Sequence, residues 1–126
     1  VGVTVRTRGW VGCLTVPMEL ARTPEPPYYA VVFTSVLSLD DEGYHEAADR
    51  MFELVRGTPG FLGFDSVRDE DRVGITVAYF ASEEAISVWR EQPEHVVTRG
   101  NGRERWYDAF EVRVARVERA YRKGRG

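Results

Sequence analysis

The residues best suited to chemistry crowd one stretch, Ile86–Tyr107, which holds two of the three tryptophans and one of the two histidines. A proton acceptor that works near neutrality needs a pKa close to the operating pH. Glu91, Glu94 and Glu104 would need large upward shifts to serve, and the arginines do not deprotonate. His95, starting from about 6.5, is the one side chain of the stretch already in range, which makes it the candidate general base. Trp89 and Trp106 can donate from their indole N–H groups. Each also has a plain packing reading. Trp89 falls on an apolar helical stripe, Trp106 stands at a helix-to-strand corner, and His95 follows Glu94 where a turn could hold it.

Other chemistries are poorly provided for. Cys13 is the only cysteine, and His45 and His95 stand fifty residues apart. Neither a thiolate cluster nor a zinc spacing results. His45 reads as a solvated surface histidine. The formal net charge of −3 lacks the basic surplus of a nucleic-acid footprint. No run approaches the ~18 apolar residues of a membrane span, and the expected location is the cytoplasm.

The elements that must position these residues follow from periodicity. Thr23-Pro-Glu-Pro-Pro27 is an extended lead-in, because three prolines exclude helix. Tyr28–Leu39 predicts a strand apolar on both faces, hence central and covered on both sides. Asp40-Asp41 is expected to cap a helix whose face carries Tyr44, Ala47, Ala48, Met51 and Val55, ended by Gly57-Thr-Pro-Gly60. Phe61–Arg68 and Val73–Phe80, joined by a four-residue polar turn, predict an antiparallel hairpin. Ser82 should cap a second helix bearing Ala85, Ile86 and Trp89. Pro93 opens a new segment with His95, Arg99, Gly102 and Trp106 on one face, interrupted near Gly100-Asn101-Gly102. Tyr107–Tyr121 predicts a closing strand, whose phase change after Val114 suggests a bulge or a switch of the covered face.

The order strand, helix, strand, strand, helix, strand is the ferredoxin-like split βαβ pattern, an α+β fold with a four-stranded antiparallel sheet. The domain is drawn at residues 23–121. Residues 1–22 are read as a disordered or non-native extension, with Met18 as the natural start, and residues 122–126 as a basic tail. Two helices cover one sheet face, and nothing in the sequence is left for the other. A homodimer through that face is the expectation.

Particular segments also resemble a known family. These are Pro26-Pro-Tyr-Tyr-Ala-Val-Val-Phe-Thr-Ser35, Pro59-Gly-Phe-Leu-Gly63, Gly74-Ile-Thr-Val77, Ala85-Ile-Ser-Val-Trp89, Glu94-His95, Gly102-Arg103, Trp106-Tyr107 and Arg113-Val-Ala-Arg-Val-Glu-Arg119. Together they resemble the antibiotic biosynthesis monooxygenases, dimeric α+β barrels, and look most like an uncharacterised bacterial branch. The resemblance implies a homodimer that takes a small apolar or aromatic ligand and, in the cofactor-independent members, oxidises a phenol with dioxygen and neither metal nor flavin. On that reading His95 and Trp89 are the catalytic candidates. Trp106, Ser35, Tyr79, Phe33 and Tyr29 are the substrate-binding ones. The haem-degrading branch resembles a different pattern, in which asparagine and histidine stand where this chain has Ser35 and Arg99. Haem degradation is therefore the second reading. A non-catalytic dimer binding a small ligand in the same pocket is the third.

Overall fold

In a computed structural model, residues 19–124 are described. They form strands β1 (Tyr28–Leu37), β2 (Phe61–Arg68), β3 (Val73–Phe80) and β4 (Tyr107–Val117), with helices α1 (Tyr44–Val55), α2 (Glu83–Arg90) and α3 (Pro93–Asn101). A π-helical turn, Gly102–Trp106, carries α3 into β4. The antiparallel sheet runs β2-β3-β1-β4. The expected ferredoxin-like α+β architecture is thus present, with β1 central between β3 and β4. No helix among the described residues is long and apolar enough to cross a membrane. Cys13 and the proposed start at Met18 lie outside the described residues.

Pairing fixes the two faces. Val31, Phe33 and Ser35 of β1 lie beside Ala78, Thr76 and Gly74 of β3 and beside Val114, Val112 and Phe110 of β4. This face receives the helices. Val55 of α1, Phe80 of β3 and Ala85 of α2 form the buried centre, with Phe61, Ile86 and Trp89 packed around it. Phe52 of α1 stacks flat on Phe64 of β2, ring centroids 4.3 Å apart.

Local signals set most of the helix ends. Ser82 accepts from the Ala85 amide at 3.1 Å and starts α2. The Gln92 side-chain carbonyl accepts from the His95 amide at 2.9 Å, and Pro93 supplies a first turn that needs no donor. The expected cap of α1 is different. Gly43, at φ 84°, stands at the N-cap and no side chain caps the helix. The Asp41 carboxylate instead accepts from the Arg72 guanidinium at 2.6 Å. Arg72 sits in the β2–β3 turn at φ 71° and also donates to the Leu37 and Ser38 carbonyls. Through this ion pair Asp41 ties the loop after β1 to the hairpin. The same bond, chiefly, lowers the Asp41 pKa.

β4 also settles the phase question. Its register against β1 is regular from Val117 to Ala109, and the irregularity lies at the strand start, between Val36 and Leu37. There is thus no bulge after Val114. The sheet face away from the helices is partly overlaid by residues 19–27. The Ala21 amide donates to Asp65 at 2.8 Å, and Thr23 donates to the Tyr28 hydroxyl at 2.9 Å. The lead-in thus supplies some of the cover that the sequence left unassigned. Beyond it, Val67, Val73 and Ile75 remain exposed.

Candidate functional site

Between the helices and the sheet lies a cavity of about 400 Å³, within the usual range for a small-molecule site. The predicted stripe of α1 (Tyr44, Ala47, Ala48, Met51, Val55) forms its roof, together with Trp89, His95 and Trp106. Val31, Phe33, Phe64, Thr76 and Ala78 form its floor. Phe110, Val112 and Val114 of β4 line the remaining side and are about half exposed.

His95 and Trp89 meet in the wall. Their rings stack at 4.1 Å between centroids and 13° between planes. His95 Nδ1 lies 2.9 Å from the Trp89 carbonyl oxygen. A carbonyl only accepts, so Nδ1 carries the proton of the neutral ring and Nε2 is left with its lone pair. Burial, first of all, lowers the His95 pKa from 6.5, and Arg99 and Arg90 push the same way. The Trp89 carbonyl opposes them. The result at neutral pH is an uncharged imidazole with its basic nitrogen on Nε2, which has no hydrogen-bond partner among the described residues. This arrangement can accept a proton from a bound acid.

The other site candidates separate. Phe33 lines the cavity and meets the Tyr107 ring edge-on at 5.2 Å. Trp106 also lines it, but its indole N–H donates to the Glu42 carbonyl at 2.9 Å. That donor is occupied in pinning the entry to α1. Ser35 is 1% exposed, is not part of the cavity wall, and its hydroxyl accepts from Arg68 at 2.8 Å. Its contact is with a cavity residue, one layer back. Tyr79 faces the opposite side of the sheet, where its hydroxyl donates to Asp65 at 3.1 Å. Burial, with Asp65 beside it, pushes its pKa up to about 12. Tyr29 pairs with Phe80 and Arg116 and is not part of the cavity wall.

The family model described as antibiotic biosynthesis monooxygenase matches residues 27–100. An uncharacterized Bacillus subtilis protein, YqjZ, is 53% identical over 100 residues, spanning 79% of this chain and 88% of that protein. The chain belongs to the antibiotic biosynthesis monooxygenase family. Among solved structures, SnoaB from Streptomyces nogalater, a cofactor-independent oxygenase, superposes with a TM-score of 0.66. It is 13% identical, and the match covers 78% of this chain and 100% of that one. A Mycobacterium tuberculosis protein gives 0.62 at 16% identity, over 77% and 99% of the two chains. At those identities the likeness is one of fold.

Within this antibiotic biosynthesis monooxygenase fold, sequence reasoning passed over Arg68 and Tyr107. Tyr107 is packed between Phe33 and Tyr44, and burial, then the Tyr44 hydroxyl, raises its pKa against a smaller downward pull from Arg68. The buried Gly102 makes room for it, since a Cβ there would lie 2.9 Å from its ring. Arg68 carried a readable signal. It continues the inward alternation Phe64, Ser66, Arg68, so a charge falls in the register of the covered face. Among the described residues, no three His, Cys, Asp or Glu side chains gather as a metal site.

Proposed function

We propose that the protein is a monooxygenase-like enzyme that oxidises a small phenolic compound with dioxygen in the cavity between helices and sheet. The observation that carries this reading is the neutral His95, held against Trp89 with Nε2 unpartnered in an aromatic wall. The phenol gives its proton to Nε2. The phenolate passes an electron to dioxygen, and the pair of radicals joins at a ring carbon as a hydroperoxide. Loss of water then leaves a quinone, so one phenol and one dioxygen yield one quinone and one water. Arg90 and Arg99 disfavour the imidazolium until the anion forms beside it, and the indole N–H of Trp89 has no partner among the described residues. The test is dioxygen uptake with a panel of mono- and polycyclic phenols, following quinone absorbance. His95→Phe keeps a flat ring against Trp89 and removes the base. It should lower turnover by about 10²–10⁴-fold. Binding without dioxygen uptake across the panel would refute the enzyme reading and leave a ligand-binding protein.

The working unit in this reading is a homodimer joined through the sheet face away from the helices. Exposed Val67, Val73 and Ile75 on that face support it. A stable monomer in sedimentation at micromolar concentration would count decisively against it.

A further inference from the structure

The cavity wall contains Arg68, Arg90, Arg99 and Arg103 and no aspartate or glutamate. Arg90 and Arg103 are exposed at its edge, whereas Arg68 is part-buried on the sheet face. Ion pairs among the described residues engage Arg50, Arg72, Arg113 and Arg116, and none reaches Arg68. Neutral acceptors hold its guanidinium instead. One terminal nitrogen donates to the Arg72 carbonyl at 2.7 Å and the Ser35 carbonyl at 3.4 Å. The other donates to the Ser35 hydroxyl at 2.8 Å and the Tyr44 hydroxyl at 3.3 Å. The seat is shaped for it. Gly74 lies opposite Arg68 in the hairpin, and a Cβ there would stand 2.5 Å from the guanidinium carbon.

A cation withdrawn from water among neutral dipoles is costly unless an anion joins it. The Tyr44 hydroxyl, accepting from Arg68, keeps its own proton to donate onward. Tyr107 lies beside it, ring centroids 5.8 Å apart, and both tyrosines line the cavity. The remaining arginines add charge of the same sign, and the buried Arg99 Nε has no partner.

We propose that the ligand of this cavity is an aromatic carboxylate, its carboxylate seated at the Arg68–Tyr44–Tyr107 cluster. This rests on reading the cavity as the substrate site, and adds that the phenolic substrate bears a second, permanently charged group. The carboxylate compensates the charge of Arg68 and accepts from a tyrosine O–H, and the aromatic body lies against Phe33.

The probes are 2-naphthoic acid and its neutral isostere 2-naphthamide, titrated calorimetrically at pH 7.5. The wild-type protein should bind the acid at least about tenfold tighter, the scale of one hydrogen bond to a charged group. Arg68→Met should bring the ratio close to one. Gly74→Ala should do nearly the same while keeping the arginine, because only the flexible guanidinium has to move. Arg68→Lys should keep part of the preference, since the charge stays while the hydrogen bonds that seat the guanidinium beside Ser35 and Tyr44 are lost. Equal binding of the two probes by the wild type, or binding of neither, overturns the proposal. So does a preference that survives both Arg68→Met and Gly74→Ala but falls in Arg99→Gln, which would place the anion at α3. Dioxygen uptake by simple phenols is measured separately. Preference for the acid without uptake sustains this inference and sinks the oxidase reading, and the reverse pattern does the opposite.

Discussion

Gly60 offers the sharpest test of how α2, and with it Trp89, is seated. It stands at φ 88°, and a Cβ placed there would lie 2.7 Å from the Ala85 methyl. Carbon atoms prefer about 3.5–4.0 Å. Retreat is blocked, because the Gly60 carbonyl accepts from the Ala81 amide at 2.7 Å and Ala85 belongs to the buried centre. Gly60→Ala therefore incurs two penalties of the same sign. The left-handed backbone costs an alanine about 1–2 kcal/mol, and overpacking costs about 1–3 kcal/mol. The stiffer unfolded chain returns about 0.4–1 kcal/mol. The net loss is about 3 kcal/mol, a large part of the roughly 5–15 kcal/mol that holds a domain together. With a urea slope near 2 kcal/mol/M, the unfolding midpoint should fall by about 1.5 M at unchanged slope. Adding Ala85→Gly removes the methyl it strikes. The double variant should then recover roughly 1–2 kcal/mol relative to the sum of the single changes, a coupling of the size found for contacting residues. A single variant within about 0.5 kcal/mol of the parent would refute the reasoning, as would a cycle without coupling.

Two further outcomes follow from the site. Trp106→Phe leaves the Glu42 carbonyl without its indole donor and trims a buried ring; it should cost about 1–3 kcal/mol in chemical unfolding, and amide exchange should quicken first at the start of α1. His95 has a folded pKa below its unfolded 6.5, so between those values the unfolded chain binds more protons. Its contribution to stability is therefore full above pH 6.5 and is lost as pH falls through the lowered value. Turnover should rise with pH through that same lowered value and then level off. In His95→Phe the stability profile should flatten over this window, and an unchanged profile would show that the histidine is not held neutral by the fold.

Much of the architecture was legible in residue order. The hairpin Phe61–Arg68 and Val73–Phe80 lies where alternation and a charged turn put it. Ser82 caps α2 and Pro93 opens α3 as their side-chain chemistry requires. The glycine-broken segment after Arg99 becomes a π-helical turn leading into β4. These signals act over a few residues, so local sequence carries them. The α1 stripe was legible as well, because a helical period of 3.6 assigns five side chains to one face whatever lies opposite.

The distribution of donors and charges was not. Asp41 looks like a cap until Arg72, thirty-one residues away, takes its carboxylate. The Trp106 indole looks available until the Glu42 carbonyl accepts its proton, and Ser35 looks like a ligand contact until Arg68 lies across it. Tyr79 is aromatic and polar in a strand, yet strand parity turns it to the face where Asp65 waits. The sequence by itself determined which segments are helix or strand, their order and their apolar faces, since propensity and period are local. Only the tertiary structure decided which polar atoms remain unspent in the cavity. Hydrogen bonds and ion pairs are specific to partner and geometry, and the partners come together only when distant strands and helices pack.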